Sequence, residues 1–174
     1  MKIIGLCGKA RAGKNAAAEV AATLVPGTAI ITFSDEIVAE CAMALAAHRP
    51  WETPKWIERI NADKEHYRPF MQWYGFDHKR REDEEYWIRK IEAKLDAAKA
   101  AGAPLAMVCG VRALNEWSMI IRRGGVVYEV VRGKQELVPS HEHASEHQKI
   151  PTHGKIKNLG GLEELRREVA FALE

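Results

Sequence analysis

The most constraining feature of this chain is a junction near its start. A β-branched, apolar run from Lys2 to Cys7 leads directly into Gly8-Lys9-Ala10-Arg11-Ala12-Gly13-Lys14-Asn15. A buried strand that ends in G-x-x-x-x-G-K and opens a helix has a specific physical use. The two glycines let the backbone curl until successive N–H groups converge on one anion. The helix that follows adds its positive N-terminal end, and Lys14 can reach a terminal phosphate. Residues 8–15 are therefore read as a phosphate cradle. Asn15 stands where a hydroxyl is usual, and its amide oxygen coordinates a hard cation less strongly than a carboxylate does.

The rest of the chain extends this strand–helix unit. A helix is expected from Gly13 to about Leu24, with Ala17, Val20, Ala21 and Leu24 on one face and Pro26-Gly27 as its stop. Thr28 to Phe33 reads as a second strand, and Ser34-Asp35 as the N-cap of a helix to about Ala47. Helical sequence then runs from Thr53-Pro54 to about Trp73, broken at Gly75. A charged stretch, 77–85, precedes a long helix to Ala101 with Trp87, Ile91, Leu95 and Ala98 along one side. Strands at Leu105–Cys109 and Val126–Val131 bracket a short helix marked by Leu114, Trp117 and Ile121. Residues 133–160 read as a loop or lid, and Leu162, Leu165, Val169 and Leu173 as the stripe of a last helix. The alternation implies an α/β fold: a parallel sheet flanked by helices, one domain over 1–174, with a helical insertion at about 50–101.

Composition narrows the class. The chain has 174 residues, 47% hydrophobic and 29% charged, which excludes a disordered or fibrous protein. Lys and Arg number 26 against 24 for Asp and Glu, so the net charge of +2 offers no argument for a nucleic-acid partner. No apolar stretch approaches the length of a membrane span, and the first residues lack the shape of a signal peptide. Cys7, Cys41 and Cys109 each lie in an apolar run and read as reduced, buried small hydrophobes. A cytoplasmic location is the expectation. His141, His143 and His147 have no completing ligand cluster and are not read as a metal site.

Several further segments, in order along the chain, resemble the phage-type deoxynucleoside monophosphate kinases, a branch of the P-loop nucleoside monophosphate kinases. Beside the glycine loop they are Phe33-Ser34-Asp35; Arg68 to Gln72 and Gly75, followed by Arg80-Arg81 and Trp87; Gly110-Val111-Arg112 with Asn115-Glu116, Gly124-Gly125 and Val130-Val131-Arg132; and His143-Ala144-Ser145-Glu146 with Asn158-Leu159-Gly160. The resemblance implies a three-layer P-loop NTPase fold whose helical insertion binds substrate. It also implies transfer of the γ-phosphoryl group of ATP to a deoxynucleoside monophosphate (dNMP), with Mg²⁺ as metal and a homodimer as one possible assembly.

The residue roles follow from that resemblance and from what phosphoryl transfer needs, which is positioning and neutralisation of phosphate charge. Lys14, Arg68, Arg81 and Arg112 are the expected catalytic cations. Residues Gly8 to Asn15 and Arg132 would hold ATP. Asp35, Arg68, Gln72, Arg80, Arg112, Ser145 and Glu146 would bind the acceptor; the four-residue spacing of Arg68 and Gln72 puts them on one helix face. Asn15 and Asp35 are the candidate metal ligands, because Cys109 and Gly110 occupy the place where the family carries an acid. Each role has a plainer alternative: a helix N-cap for Asp35, a solvated charged face for Arg80 and Arg81. Two other functions stay open: a P-loop kinase with a phosphomevalonate-like or dephospho-coenzyme-A-like acceptor, or a nucleotide-binding protein with weak turnover.

Overall fold

A computed structural model describes residues 1–133 and 149–174. The strands are β1 (Lys2–Cys7), β2 (Ala29–Thr32), β3 (Leu105–Cys109), β4 (Val126–Arg132) and β5 (Gly154–Asn158). They form one sheet in the order β2-β3-β1-β4-β5, with every neighbouring pair parallel. Among the described residues there are seven α-helices: α1 (Lys14–Leu24), α2 (Phe33–Leu45), α3 (Thr53–Ala62), α4 (Lys64–Gln72), α5 (Tyr86–Ala100), α6 (Leu114–Arg122) and α7 (Leu162–Leu173).

Side-chain alternation along the strands makes three layers. Ile4 and Leu6 of β1, with Leu105 and Met107 of β3 and Ile156 of β5, face one core with Ala17, Ala18 and Ala21 of α1 and Leu165 and Val169 of α7. Ile3 and Cys7, with Ala106, Val108 and Val127, face the other core with Trp87, Ile91 and Leu95 of α5 and Met119 and Ile120 of α6. Three of the four residues of the stripe anticipated on α5 are buried, with Trp87, Ile91 and Leu95 at most 1% exposed, and Ala98 is half-buried. Burial of each such side chain contributes about 1.5–3 kcal/mol before entropy is charged against it. A third cluster joins Val38, Cys41 and Ala42 of α2 to Ile60 of α3, which fastens the insertion to the sheet layers.

The structure differs from the sequence expectations in four places. Helix α2 begins at Phe33, so Asp35 lies inside its first turn and Thr32 takes the cap position. The expected helix 53–73 is two helices divided at Asp63, whose carboxylate accepts the His66 N–H at 3.2 Å and so starts α4. Gly75 does not end the segment. The chain continues as a π-helical stretch, Trp73–Arg80, in which Gly75 packs against Ile37 so closely that a Cβ would lie 2.9 Å from it. Finally, part of the expected lid is β5. It reads poorly as a strand because only Ile156 turns inward, while Lys155 and Lys157 are exposed on the sheet edge. Residues 134–148, including Ser145, Glu146 and His141, His143 and His147, lie outside the described residues. No described helix is long and apolar enough to cross a membrane.

Candidate functional site

The glycine loop runs from the carboxyl end of central strand β1 into α1, the edge at which open parallel sheets bind ligands. Its shape is set by close approach. Gly8 has φ +122°, and a Cβ there would lie 2.4 Å from the Val130 carbonyl oxygen of β4. Asn158 of β5 donates its amide N–H to the Ala12 carbonyl at 3.0 Å and fills the space a side chain on Gly13 would need. The loop is thus braced from behind by β4 and β5. Lys14 folds over it, its Nζ donating to the carbonyls of Gly8 and Lys9, both at 2.8 Å. The first turn of α1 carries no acid, so its positive end is not neutralised.

In front of the loop is a cleft of about 220 Å³. Ala10, Arg11, Lys14 and Asn15 form one side, Arg68, Met71 and Gln72 of α4 another. The π-helical stretch adds Gly75, Phe76 and Arg80, and the ends of β2 and β3 add Thr32, Cys109 and Gly110, with Arg112 beyond. Its apolar lining includes Phe33, Ile37, Met71, Phe76 and Trp87. Trp87 is fixed by its indole N–H donating to the Gly75 carbonyl at 2.7 Å. Gln72 Nε2 and Arg80 Nε are buried without a hydrogen-bond partner among the described residues.

Carboxylates organise the cations around the cleft. Glu65 accepts from Arg68 at 3.0 and 3.2 Å and from Arg11 at 2.6 Å, which links the glycine loop to α4. The Arg68 hydrogen bond, reinforced by Arg11, holds the Glu65 carboxyl below the usual carboxylate range. Glu116, 2% exposed, accepts from the N–H groups of Arg112 at 2.6 Å and Ala113 at 3.1 Å and from Arg80. Behind the cleft, buried Glu40 accepts from Tyr86 at 2.7 Å and Tyr74 at 3.2 Å and pairs with Lys90 at 2.8 Å, which ties α2, the π-helical stretch and α5 together. Burial pushes the Tyr74 hydroxyl up to about 12, and the neighbouring Glu40 charge adds to it.

The sequence-derived candidates separate by position. Lys14, Arg68, Gln72, Arg80 and Arg112 line this one cleft, with Ala10, Arg11 and Asn15 of the loop; Gly8, Lys9, Ala12 and Gly13 form the loop's remaining backbone. Arg81 is exposed and lines a neighbouring hollow with Asp77, Glu84, Leu114 and Asn115. Asp35 and Arg132 are exposed and do not line the cleft. Cys109 does line it, but burial pushes its thiol up to about 12, which disfavours a thiolate nucleophile at neutral pH. All three cysteines are buried and unpaired. Gly110 has φ +90°, a backbone conformation that an aspartate would adopt only with strain.

Among the described residues no group of three His, Cys, Asp or Glu side chains could hold a metal ion. Among the described residues the oxygen donors at the cleft include the Asn15 amide, the Thr32 and Ser34 hydroxyls and Glu116, whose oxygens already accept three N–H donors, and the Asp35 carboxylate lies outside it. Such a set would suit a Mg²⁺ carried on a ligand's phosphates better than one held by the protein alone.

Glu116 and Asn158 stand in the segments that carry the resemblance, but had no role assigned there. Glu116 also had a local signal as the third residue of a helix. Glu40 acts across the fold and had no signal in the sequence.

No protein-family model and no curated protein matches the chain. Among solved structures, TT1252 from Thermus thermophilus is similar over 99% of this chain and 96% of that one, with a TM-score of 0.54 and 18% identity. At that identity the likeness establishes a shared α/β fold, consistent with a P-loop NTPase-like arrangement, and says nothing of activity.

Proposed function

We propose that this chain is an ATP-dependent kinase that converts deoxynucleoside monophosphates to diphosphates. The observation that carries the reading is the convergence of an anion-binding glycine loop and four cationic side chains, Lys14, Arg68, Arg80 and Arg112, on one cleft that also has an apolar lining. In this reading the loop N–H groups and the start of α1 bind the ATP phosphates, and Lys14 exchanges its loop carbonyls for phosphate oxygens. Arg68 holds the acceptor's phosphate, leaving Glu65 to do so. The base lies among Phe33, Ile37, Met71 and Phe76, where the Gln72 amide, its Nε2 without a partner among the described residues, meets a base edge. Arg80 and Arg112 neutralise charge on the phosphoryl group in transit, which is the main demand of this reaction. Mg²⁺, when it arrives with ATP, neutralises part of the phosphate charge; Asn15 is the side chain at hand to hold it.

One observation favours a second reading. The β3 end carries Cys109 and a left-handed Gly110 instead of an acid, as expected of a nucleotide-binding protein with weak turnover. A thermal-shift screen of nucleoside mono- and triphosphates separates acceptor classes, including coenzyme-A precursors and phosphorylated alcohols. An ADP-release assay with Mg²⁺ then separates kinase from binder.

A further inference from the structure

We infer, on the phosphoryl-transfer reading above, that Glu116 is the positioning residue that seats Arg80 as an anion-binding arginine of the cleft. Glu116 lines the cleft and is 2% exposed. A buried carboxylate facing a ligand cleft is ordinarily a candidate base, but its hydrogen bonds argue otherwise. One oxygen accepts the N–H groups of Arg112 at 2.6 Å and Ala113 at 3.1 Å; the other takes an Arg80 Nη. Three donors, two of them at the start of α6, occupy both carboxylate oxygens and leave neither turned to a substrate proton. A buried charge is tolerated only when paired and hydrogen-bonded in this way.

Arg80 is the other half of the argument. Its side chain is 16% exposed and its guanidinium lies 5.5 Å from the centre of the Phe76 ring. One nitrogen is held by Glu116, while its Nε is buried with no acceptor among the described residues. Arg68 contrasts with it, because both its Nε and an Nη go to Glu65. A guanidinium that lines the cleft and is anchored at one nitrogen is pre-organised for a phosphoryl oxygen. The same carboxylate fixes the Arg112 backbone, so one side chain sets two cations contributed by different parts of the fold.

The test combines two variants with chemical rescue. Glu116→Gln keeps the side chain's size and removes its charge. It lowers kcat for dNMP phosphorylation by about 30-fold while the KM for ATP moves less than about 3-fold, the signature of a misplaced transition-state contact. Arg80→Ala lowers kcat by about 100-fold, and added guanidinium ion restores at least about a tenth of the lost activity, because Glu116 seats the free ion. In the double variant Arg80→Ala/Glu116→Gln that rescue is absent. A merely structural Glu116 would not make rescue depend on its charge. The seat is also read without turnover: Glu116→Gln weakens binding of inorganic pyrophosphate about fivefold by calorimetry, a loss of one well-placed ionic contact. Wild-type kcat and pyrophosphate affinity in Glu116→Gln, equal rescue in the double variant, or no rescue of folded Arg80→Ala overturns the proposal. A wild-type protein that binds pyrophosphate with the predicted dependence on Glu116 yet turns over no dNMP overturns the kinase reading and leaves this one standing.

Discussion

Two glycine-to-alanine substitutions isolate what the phosphate loop owes to close packing. Gly8 and Gly102 both have positive φ, +122° and +79°. An added Cβ at Gly102 meets nothing within 4 Å, whereas at Gly8 it meets the Val130 carbonyl at 2.4 Å. Both variants gain the same reduction of unfolded-chain freedom, so that effect cancels in the comparison. Both carry the backbone strain of a side chain at positive φ, about 1 kcal/mol or somewhat more. Only Gly8→Ala must also displace backbone. Real Cβ atoms do not approach closer than about 3.0 Å, so a carbonyl at 2.4 Å has to retreat by roughly 0.6 Å. That movement pulls on β4, which pairs with β1 on one side and β5 on the other. Overpacking of this kind costs about 1–3 kcal/mol. Gly8→Ala is therefore expected to be less stable than Gly102→Ala by about 1–3 kcal/mol. For a chain of this size that is a Tm gap of about 3–9 °C. Urea unfolding followed by circular dichroism measures both, and calorimetric titration with ATP follows the loop. Gly102→Ala keeps wild-type ATP affinity and Gly8→Ala loses it. Equal destabilisation of the two variants, or unimpaired ATP binding by Gly8→Ala, refutes the account of how the loop is held.

Three further outcomes are expected. Lys14→Ala abolishes turnover while circular dichroism shows the fold retained, because its Nζ lies over the loop, on the carbonyls of Gly8 and Lys9, where a terminal phosphate would sit; retained activity contradicts the cradle assignment. Asn158→Ala removes the brace on the Ala12 carbonyl, a net loss of about 1 kcal/mol, and weakens ATP binding about fivefold by calorimetry; unchanged affinity means β5 does not shape the loop. Glu40→Gln destabilises the fold by about 2 kcal/mol at pH 7, less than for a fully buried pair because Lys90 is partly exposed. Burial pushes the Glu40 carboxyl up, but the hydrogen bonds from Lys90, Tyr86 and Tyr74 outweigh it and hold it below its ordinary value of 4.5. The folded state therefore prefers the ionised form. Its stabilisation is complete above that ordinary value and drains away as pH falls through the lower folded one. Wild type and Glu40→Gln should converge in stability in acid; a gap that widens there contradicts the assignment.

Much of the fold was legible because its signals are local. The strands β1 and β3 are continuous apolar runs, as buried parallel strands must be, and α5 carries a regular stripe. The glycine loop announces itself by spacing, and Arg68, Gln72 and Arg112 stand at a helix spacing or a strand end that predicts their convergence. What escaped reading depends on distant contacts. Strand β5 has one inward apolar residue and two exposed lysines, so only its pairing with β4 makes it a strand. Gly75 looked like a stop, but close packing on Ile37 is its use, and the chain turns through it as a π-helix. That turn leaves Arg80 in the cleft and Arg81 exposed, a distinction invisible in an Arg-Arg pair. Asn158 stands out in the sequence only as part of the resemblance and Glu40 not at all, because both acquire their contacts from partners 146 and 46 positions away.

The most direct test of the central claim is a coupled assay of ADP release with ATP, Mg²⁺ and each dNMP in turn, with the products separated by chromatography. The account predicts ADP release that depends on at least one dNMP and is matched one for one by the corresponding deoxynucleoside diphosphate. If no dNMP raises ATP turnover above the background without acceptor, the cleft is not the active site of this kinase.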